Sequence, residues 1–201
     1  MNFINFNSKE YWEHRYSKNG NSGLGSHDTL QTKFKSDYVN NLITNNNIKT
    51  VVELGSGDGN QLKMFKGYES YTGYDVSKTI IEKCQLEFSN DISKKFINNI
   101  QDIKEKYDLA LSLDVIYHLV EKDVYYTYLE KLFSCSDIIC IYTTNIKSTE
   151  WGGHVILRSL DDYVDKYQKG FTLIDKSMWV ANYINPKYKL GFYTYKKIKN
   201  G

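Results

Sequence analysis

Apolar positions along the chain change their spacing several times, and each change marks an element. Ser8 stands before Lys9-Glu10-Tyr11-Trp12-Glu13-His14-Arg15-Tyr16, which predicts a short helix capped by Ser8 with aromatic residues on one side. A glycine-rich loop, Asn19 to Ser26, follows. Leu30, Phe34, Tyr38, Leu42 and Ile43 then recur at helical spacing, predicting a helix over about 28–44 with those residues buried and Asn45-Asn46-Asn47 ending it. From Thr50 onward, strand and helix patterns alternate. Thr50 to Leu54 is a short buried strand, followed by a glycine turn and a helix through Leu62 and Phe65. Tyr71 to Tyr74 reads as a second strand and Thr79 to Phe88 as a helix with Ile80, Ile81, Cys84 and Phe88 inward. Strands follow near 95–97, at Leu109 to Leu113 and at Ile138 to Thr143, with a helix from Val124 to Phe133 between the last two.

Alternation of this kind implies an α/β architecture: parallel strands joined by right-handed crossovers, with helices on both faces. The rhythm breaks after Trp151. Leu160 to Tyr167 is helical, whereas Phe171 to Ile174 and Phe192 to Tyr195 are strand-like with no helix between them, predicting an antiparallel C-terminal hairpin at a sheet edge. One domain over 1–201 is expected: a helical lid or cap at 1–47, a core at 48–145 and a sheet-closing segment at 146–201.

Composition narrows the class. The 201 residues are 41% hydrophobic and 25% charged, enough for a core under a polar surface and unlike a disordered, collagenous or coiled-coil chain. The net charge of +2 supplies no electrostatic footprint for non-specific nucleic-acid binding. The apolar runs are too short to span a bilayer, and the first residues lack a basic stretch followed by an apolar one, so a cytoplasmic location is expected. Cys84, Cys135 and Cys140 read as buried, reduced thiols. Lysine is the default cation, with Arg15 and Arg158 the sole arginines, so both are candidates for a site that needs a planar fork.

The densest chemical signal is Val51-Val52-Glu53-Leu54-Gly55-Ser56-Gly57-Asp58-Gly59-Asn60, a strand running into a glycine turn. Glycines let the backbone turn sharply and let a ligand approach it. The spacing is GxGxG, with Asn60 where a dinucleotide fingerprint needs glycine, and no Lys-Ser/Thr pair follows, which excludes a Walker phosphate loop. At the end of the next strand, in Tyr74-Asp75-Val76, a carboxylate stands where it can accept both hydroxyls of a ribose lying across the strand ends. A third element is Asp108 to Leu119, a strand continuing into Asp114-Val115-Ile116-Tyr117-His118.

In this order and spacing, the three motifs resemble those of class I S-adenosylmethionine-dependent methyltransferases. The resemblance covers roughly 50–145 and implies a Rossmann-like, mostly parallel sheet and S-adenosyl-L-methionine as cofactor. It implies that Gly55, Ser56 and Gly57 bring backbone against the methionine half, with Glu53 beneath the turn. Asp75 would bind the ribose, Val76 would pack on the adenine, and Leu113 and Asp114 would lie near the sulfonium. A residue among Ile100, Gln101 and Asp102 would face the adenine. The flanks, Tyr11 to Tyr16 with Ser22 to Ser26, and His154-Val155-x-x-Arg158, resemble a bacterial subset associated with small-molecule or sugar modification. There the N-terminal segment folds over the cofactor, which adds Arg15 as a cofactor contact and Tyr117 and Arg158 as acceptor contacts. Tyr11, Trp12 and Tyr16 also read as an aromatic helix face packed on the sheet.

Methyl transfer to a hydroxyl needs alignment and a proton acceptor. His118 and His154 follow the fourth and fifth strands and are the candidate bases, with Asp114 as the other catalytic candidate. The reading is O-methylation of a small sugar or metabolite acceptor, without a metal. Protein or RNA methylation and a non-catalytic cofactor-binding subunit are the alternatives; the absence of proline from Asp114-Val115-Ile116-Tyr117 argues against methylation of base amino groups.

Overall fold

The computed structural model describes residues 6–146, 151–179 and 189–198. Among these residues nine strands occur: β1 (Thr50–Leu54), β2 (Ser70–Tyr74), β3 (Lys94–Ile97), β4 (Leu109–Leu113), β5 (Ile138–Thr144), β6 (Trp151–Gly152), β7 (Val155–Ile156), β8 (Phe171–Met178) and β9 (Leu190–Lys197). Six α-helices accompany them among the described residues: α1 (Ser8–Ser17), α2 (Leu24–His27), α3 (Thr29–Asn45), α4 (Lys78–Glu87), α5 (Lys122–Cys135) and α6 (Leu160–Tyr167). The main sheet has the order β3-β2-β1-β4-β5-β9-β8. Its first five strands are parallel, while β9 runs antiparallel to both β5 and β8. The expected hairpin is therefore present, with its later strand inserted beside β5 and β8 left at the edge. β6 and β7 pair separately.

Side-chain alternation divides the core. Val51, Leu109, Leu111, Cys140, Tyr142 and Phe192 face α3 and α4, packing with Val39, Ile43, Ile80 and Cys84. Val52, Leu54, Ala110, Ile139, Ile141 and Tyr193 face the other way, onto Leu129, Leu132 and Phe133 of α5 and Leu160 and Val164 of α6. A period of two on the strands thus feeds two helical layers. All three cysteines are free and buried. No helix among the described residues is long and apolar enough to cross a membrane.

Three local expectations are corrected. Asn7, not Ser8, caps α1: its side chain accepts the Glu10 N–H, freeing Ser8 to hydrogen-bond Glu121 and the His118 carbonyl. The helix expected after β1 is a single 3₁₀ turn, Leu62–Met64. Gly59 and Gly67, both at positive φ, bracket a stretch too short to repay helix nucleation. On α3 the buried face is Gln31, Thr32, Lys35, Ser36, Val39 and Ile43, while Leu30 is exposed and Phe34, Tyr38 and Leu42 are half-buried against the core. The first half of α3 meets polar partners near the strand ends, and only its second half reaches apolar core.

Candidate functional site

β1, β2 and β4 end together on one side of the sheet, where loops leave a cavity of about 460 Å³. Open α/β sheets bind ligands there, outside the carboxyl ends of their strands. β1 delivers Glu53 and then turns through Gly55 at φ +80° and Gly57 at φ +56°. A Cβ on Gly55 would stand 2.4 Å from Val115 Cγ2, and one on Gly57 would stand 2.3 Å from Ser22 Oγ. Both positions therefore require glycine for conformation and for space.

Asp75, at the end of β2, is buried and tied to this turn. The Gly57 N–H donates to its Oδ2 at 3.0 Å and the Ser77 N–H donates to its Oδ1 at 2.9 Å. Burial nevertheless raises its pKa to about 6, the two backbone bonds only partly offsetting the cost of the charge. Glu53 accepts the Tyr71 hydroxyl at 2.6 Å, and burial pushes it up to about 7. Asp114, just past β4, has φ +60°. Its carboxylate accepts Lys35 Nζ at 2.6 Å and the Tyr117 hydroxyl at 2.8 Å.

α1 and α2 cover the opening. The Glu13 carboxylate accepts the Ser77 and Thr79 hydroxyls at the start of α4, and the Thr79 bond leads in holding its pKa low. Asp58, in the glycine turn, accepts the Ser22 N–H at 2.9 Å and pairs with His27 Nε2 at 2.8 Å, while its own N–H donates to Ser22 Oγ. Burial opposes the Asp58 charge, but these bonds outweigh it and lower the pKa. Asn60 Nδ2 donates to the Ser26 carbonyl at 2.6 Å, adding a second tie between turn and cover.

Of the residues expected from sequence, Glu53, Gly55, Ser56, Gly57, Asp75, Val76, Leu113, Asp114 and His118 line the cavity. Ile100 lines it as well, whereas Gln101 and Asp102 do not. Arg15, Tyr117, His154 and Arg158 lie outside the lining. Arg15 Nε donates to the Asn21 carbonyl at 2.6 Å, bracing the loop between α1 and α2. Arg158 donates to the carbonyls of Leu119 and Val120 and lies over the Tyr125 ring, so its fork braces the chain entering α5. Tyr117 reaches the site through Asp114. His154 stacks on His118 with ring centroids 4.9 Å apart, and on Tyr11 at 4.5 Å. Burial depresses His118 to about 4 and lowers His154 in the same direction.

Sequence reasoning missed Lys35 and Gln61 in the lining and treated Trp12 and Tyr16 chiefly as packing. Lys35 sits among the apolar positions of α3 at the same helical spacing, and that intrusion was the available signal. Among the described residues, no group of three or more His, Cys, Asp or Glu side chains is arranged to hold a metal.

No family model matches the sequence, and no curated protein matches it either. Solved structures do match in fold. Magnesium protoporphyrin IX methyltransferase (ChlM) from Synechocystis PCC 6803, with bound SAM, aligns with a TM-score of 0.71 at 13% identity, over 98% of this chain and 100% of that one. The N-methyltransferase NodS from Bradyrhizobium japonicum WM9, in complex with S-adenosyl-l-homocysteine, aligns at 0.75 with 11% identity, over 96% and 100%. The chain has the class I methyltransferase fold. A third structure, a DhpI–SAH complex, has a TM-score of 0.65 at 16% identity over 96% of each chain. This methyltransferase fold places its glycine turn, Asp75 and Asp114 around one covered cavity.

Proposed function

We propose that the protein is an S-adenosylmethionine-dependent methyltransferase acting on a small polar acceptor, with a hydroxyl of a sugar or metabolite as the methylated group. The observation that carries this reading is the lining of the cavity. A backbone turn open to a ligand, a buried carboxylate at the end of β2 and a second carboxylate past β4 share one chamber. Two buried polar atoms in that lining, Ser56 Oγ and Gln61 Oε1, have no hydrogen-bond partner among the described residues. Unmet polar atoms cost free energy unless a ligand or water satisfies them. The residues present therefore fit a nucleoside with a polar tail.

Asp75 has two acceptor positions left after its backbone bonds, enough for a pair of ribose hydroxyls. Val76 and Ile100 give an apolar wall for a base, and the turn at Gly55 to Gly57 takes the polar tail. When bound, S-adenosylmethionine supplies a methyl carbon already activated by its sulfonium. What the chain adds is alignment, exclusion of water beneath α1 and α2, and a group to take the acceptor's proton. His118 fills that last role best, because it lines the cavity while His154 lies behind it. Burial keeps His118 neutral throughout the physiological range, so its ring has a free lone pair there, and the same burial makes it a weaker base than an ordinary imidazole. The cover over the cavity and its modest volume favour a small acceptor over a macromolecule.

The test has two stages. Calorimetry with S-adenosylhomocysteine and S-adenosylmethionine should show one site per chain, and a panel of hydroxyl-bearing metabolites should then reveal a methylated product. Absence of binding by both compounds would remove the reading altogether. Binding without transfer to any hydroxyl, but with transfer to amines or RNA, would replace the acceptor class.

A further inference from the structure

Lys35 is the only lysine or arginine that is buried among the described residues. It is 0% exposed, comes from the middle of α3, and reaches the cavity lining. A fully buried ammonium is retained only when it is paired. Its partner is Asp114 Oδ2 at 2.6 Å, and Nζ also lies 5.4 Å from the centre of the Tyr142 ring. The other Asp114 oxygen is taken by the neutral Tyr117 hydroxyl. The Gly25 backbone approaches so closely that a Cβ there would stand 2.6 Å from Asp114 Oδ2. Asp114 is therefore clamped, and the charge it presents is set by Lys35.

We infer that Lys35 is a charge-balancing residue that sets how strongly the site distinguishes the sulfonium cofactor from its neutral, demethylated product. This rests on the proposed cofactor reading. With the ribose at Asp75 beyond β2, a ligand crossing the strand ends extends over β1 to β4. That brings its sulfur-bearing part toward Gly55 and Asp114. S-adenosylmethionine and S-adenosylhomocysteine differ there by one methyl group and one positive charge. A bare Asp114 carboxylate would favour the charged form, because charge pairs inside a protein interact far more strongly than in water. Paired with Lys35, Asp114 contributes almost no net charge, so the substrate form is not trapped by its own positive charge.

The test is the ratio of affinities for the two compounds, measured by calorimetry at pH 8. At that pH Asp75 is ionised, whereas Glu53, which Lys35 helps to keep charged, takes up more proton in Lys35→Met, so each ratio is also measured in a Glu53→Gln background. Lys35→Met keeps side-chain volume, removes the charge and should raise the preference for S-adenosylmethionine by on the order of tenfold. Asp114→Asn, which leaves the lysine unpaired, should move the ratio the other way. The double variant should return it to the wild-type value, whatever its absolute affinities. A purely structural lysine would weaken both compounds equally, and an unchanged ratio in Lys35→Met overturns the inference. If Lys35→Met does not fold, Asp114→Asn and the double variant decide: a ratio unmoved in Asp114→Asn, or moved equally in both, overturns it. Failure of the wild-type protein to bind either compound would instead overturn the cofactor reading.

Discussion

Asp75 concentrates the conflict between stability and binding at the scale of single residues. Its carboxylate is buried, costly to charge and held by two backbone N–H groups, an arrangement that leaves acceptor positions for a diol. Removing charge-assisted hydrogen bonds costs roughly 1.5–3 kcal/mol. Asp75→Ala should therefore weaken S-adenosylhomocysteine about 10- to 100-fold in calorimetry, and wild-type affinity in the folded variant would refute its assignment to the ribose. Glu53 carries a related cost. Its folded pKa, about 7, lies above the unfolded value, so the folded state binds the extra proton and stability is lost as pH rises through 7. Glu53→Gln lacks this dependence. Wild-type stability relative to Glu53→Gln should increase by on the order of 1 kcal/mol as the pH falls from 8 to 6.5, measured by urea denaturation. His118 has the opposite sign: with its folded pKa near 4, the unfolded chain takes the proton first, and stability falls between about pH 6.5 and 4. As a base, His118 gives no loss of rate on acidification until below pH 5. With an acceptor from the metabolite panel, His118→Ala should cut turnover roughly 10²–10⁴-fold with cofactor affinity nearly intact, and His154→Ala should do much less. Equal rates in both variants and wild type would leave neither histidine as the base.

The N-terminal helices are the elements whose role is most directly testable. α1 and α2 attach to the rest of the molecule by polar ties (Glu13 to the start of α4, Ser8 to Glu121, and Ser22, Ser26 and His27 to the glycine turn) and by the packing of Tyr11 on His154 and Trp12 on His118. Only Tyr16 among the α1 aromatic residues is fully buried in the core. A segment held by a few exchangeable bonds above a ligand cavity opens more readily than the sheet beneath it. Binding of S-adenosylhomocysteine should protect amides over 7–28 from hydrogen exchange, and Asp58→Ala should speed its release in stopped-flow measurements. Equal exchange with and without ligand would make the segment a fixed arm rather than a lid. α3 shows how such a role escapes pattern reading. Its apolar residues mark one face, but Gln31 and Lys35 turn inward because the strand ends offer them Tyr142 and Asp114 as partners, while the Thr32 and Ser36 hydroxyls can be buried because they donate to carbonyls of the helix itself.

The whole molecule is a sheet whose middle carries the stability and whose one end carries the site. Leu111 of β4 is wholly buried between neighbouring parallel strands, so Leu111→Ala should cost about 2–5 kcal/mol in urea denaturation through lost transfer and an unfilled cavity. A cost below about 1 kcal/mol would contradict that packing. The five parallel strands, the existence of α3, α4 and α5, and the cavity residues Glu53, Gly55, Gly57, Asp75 and Asp114 were legible in the sequence, because strand and helix periods, glycine turns and residues at strand ends are local patterns. The insertion of β9 between β5 and β8 was not, since strand order depends on pairings between distant segments. Nor could sequence say that Arg15 and Arg158 would spend their donors on backbone carbonyls. Lys35 joins Asp114 across 79 positions of chain. A chain written in one dimension marks which residues can carry charge or turn sharply; only packing in three decides which of them share a low-dielectric chamber, and so which charges cancel and which remain for a ligand.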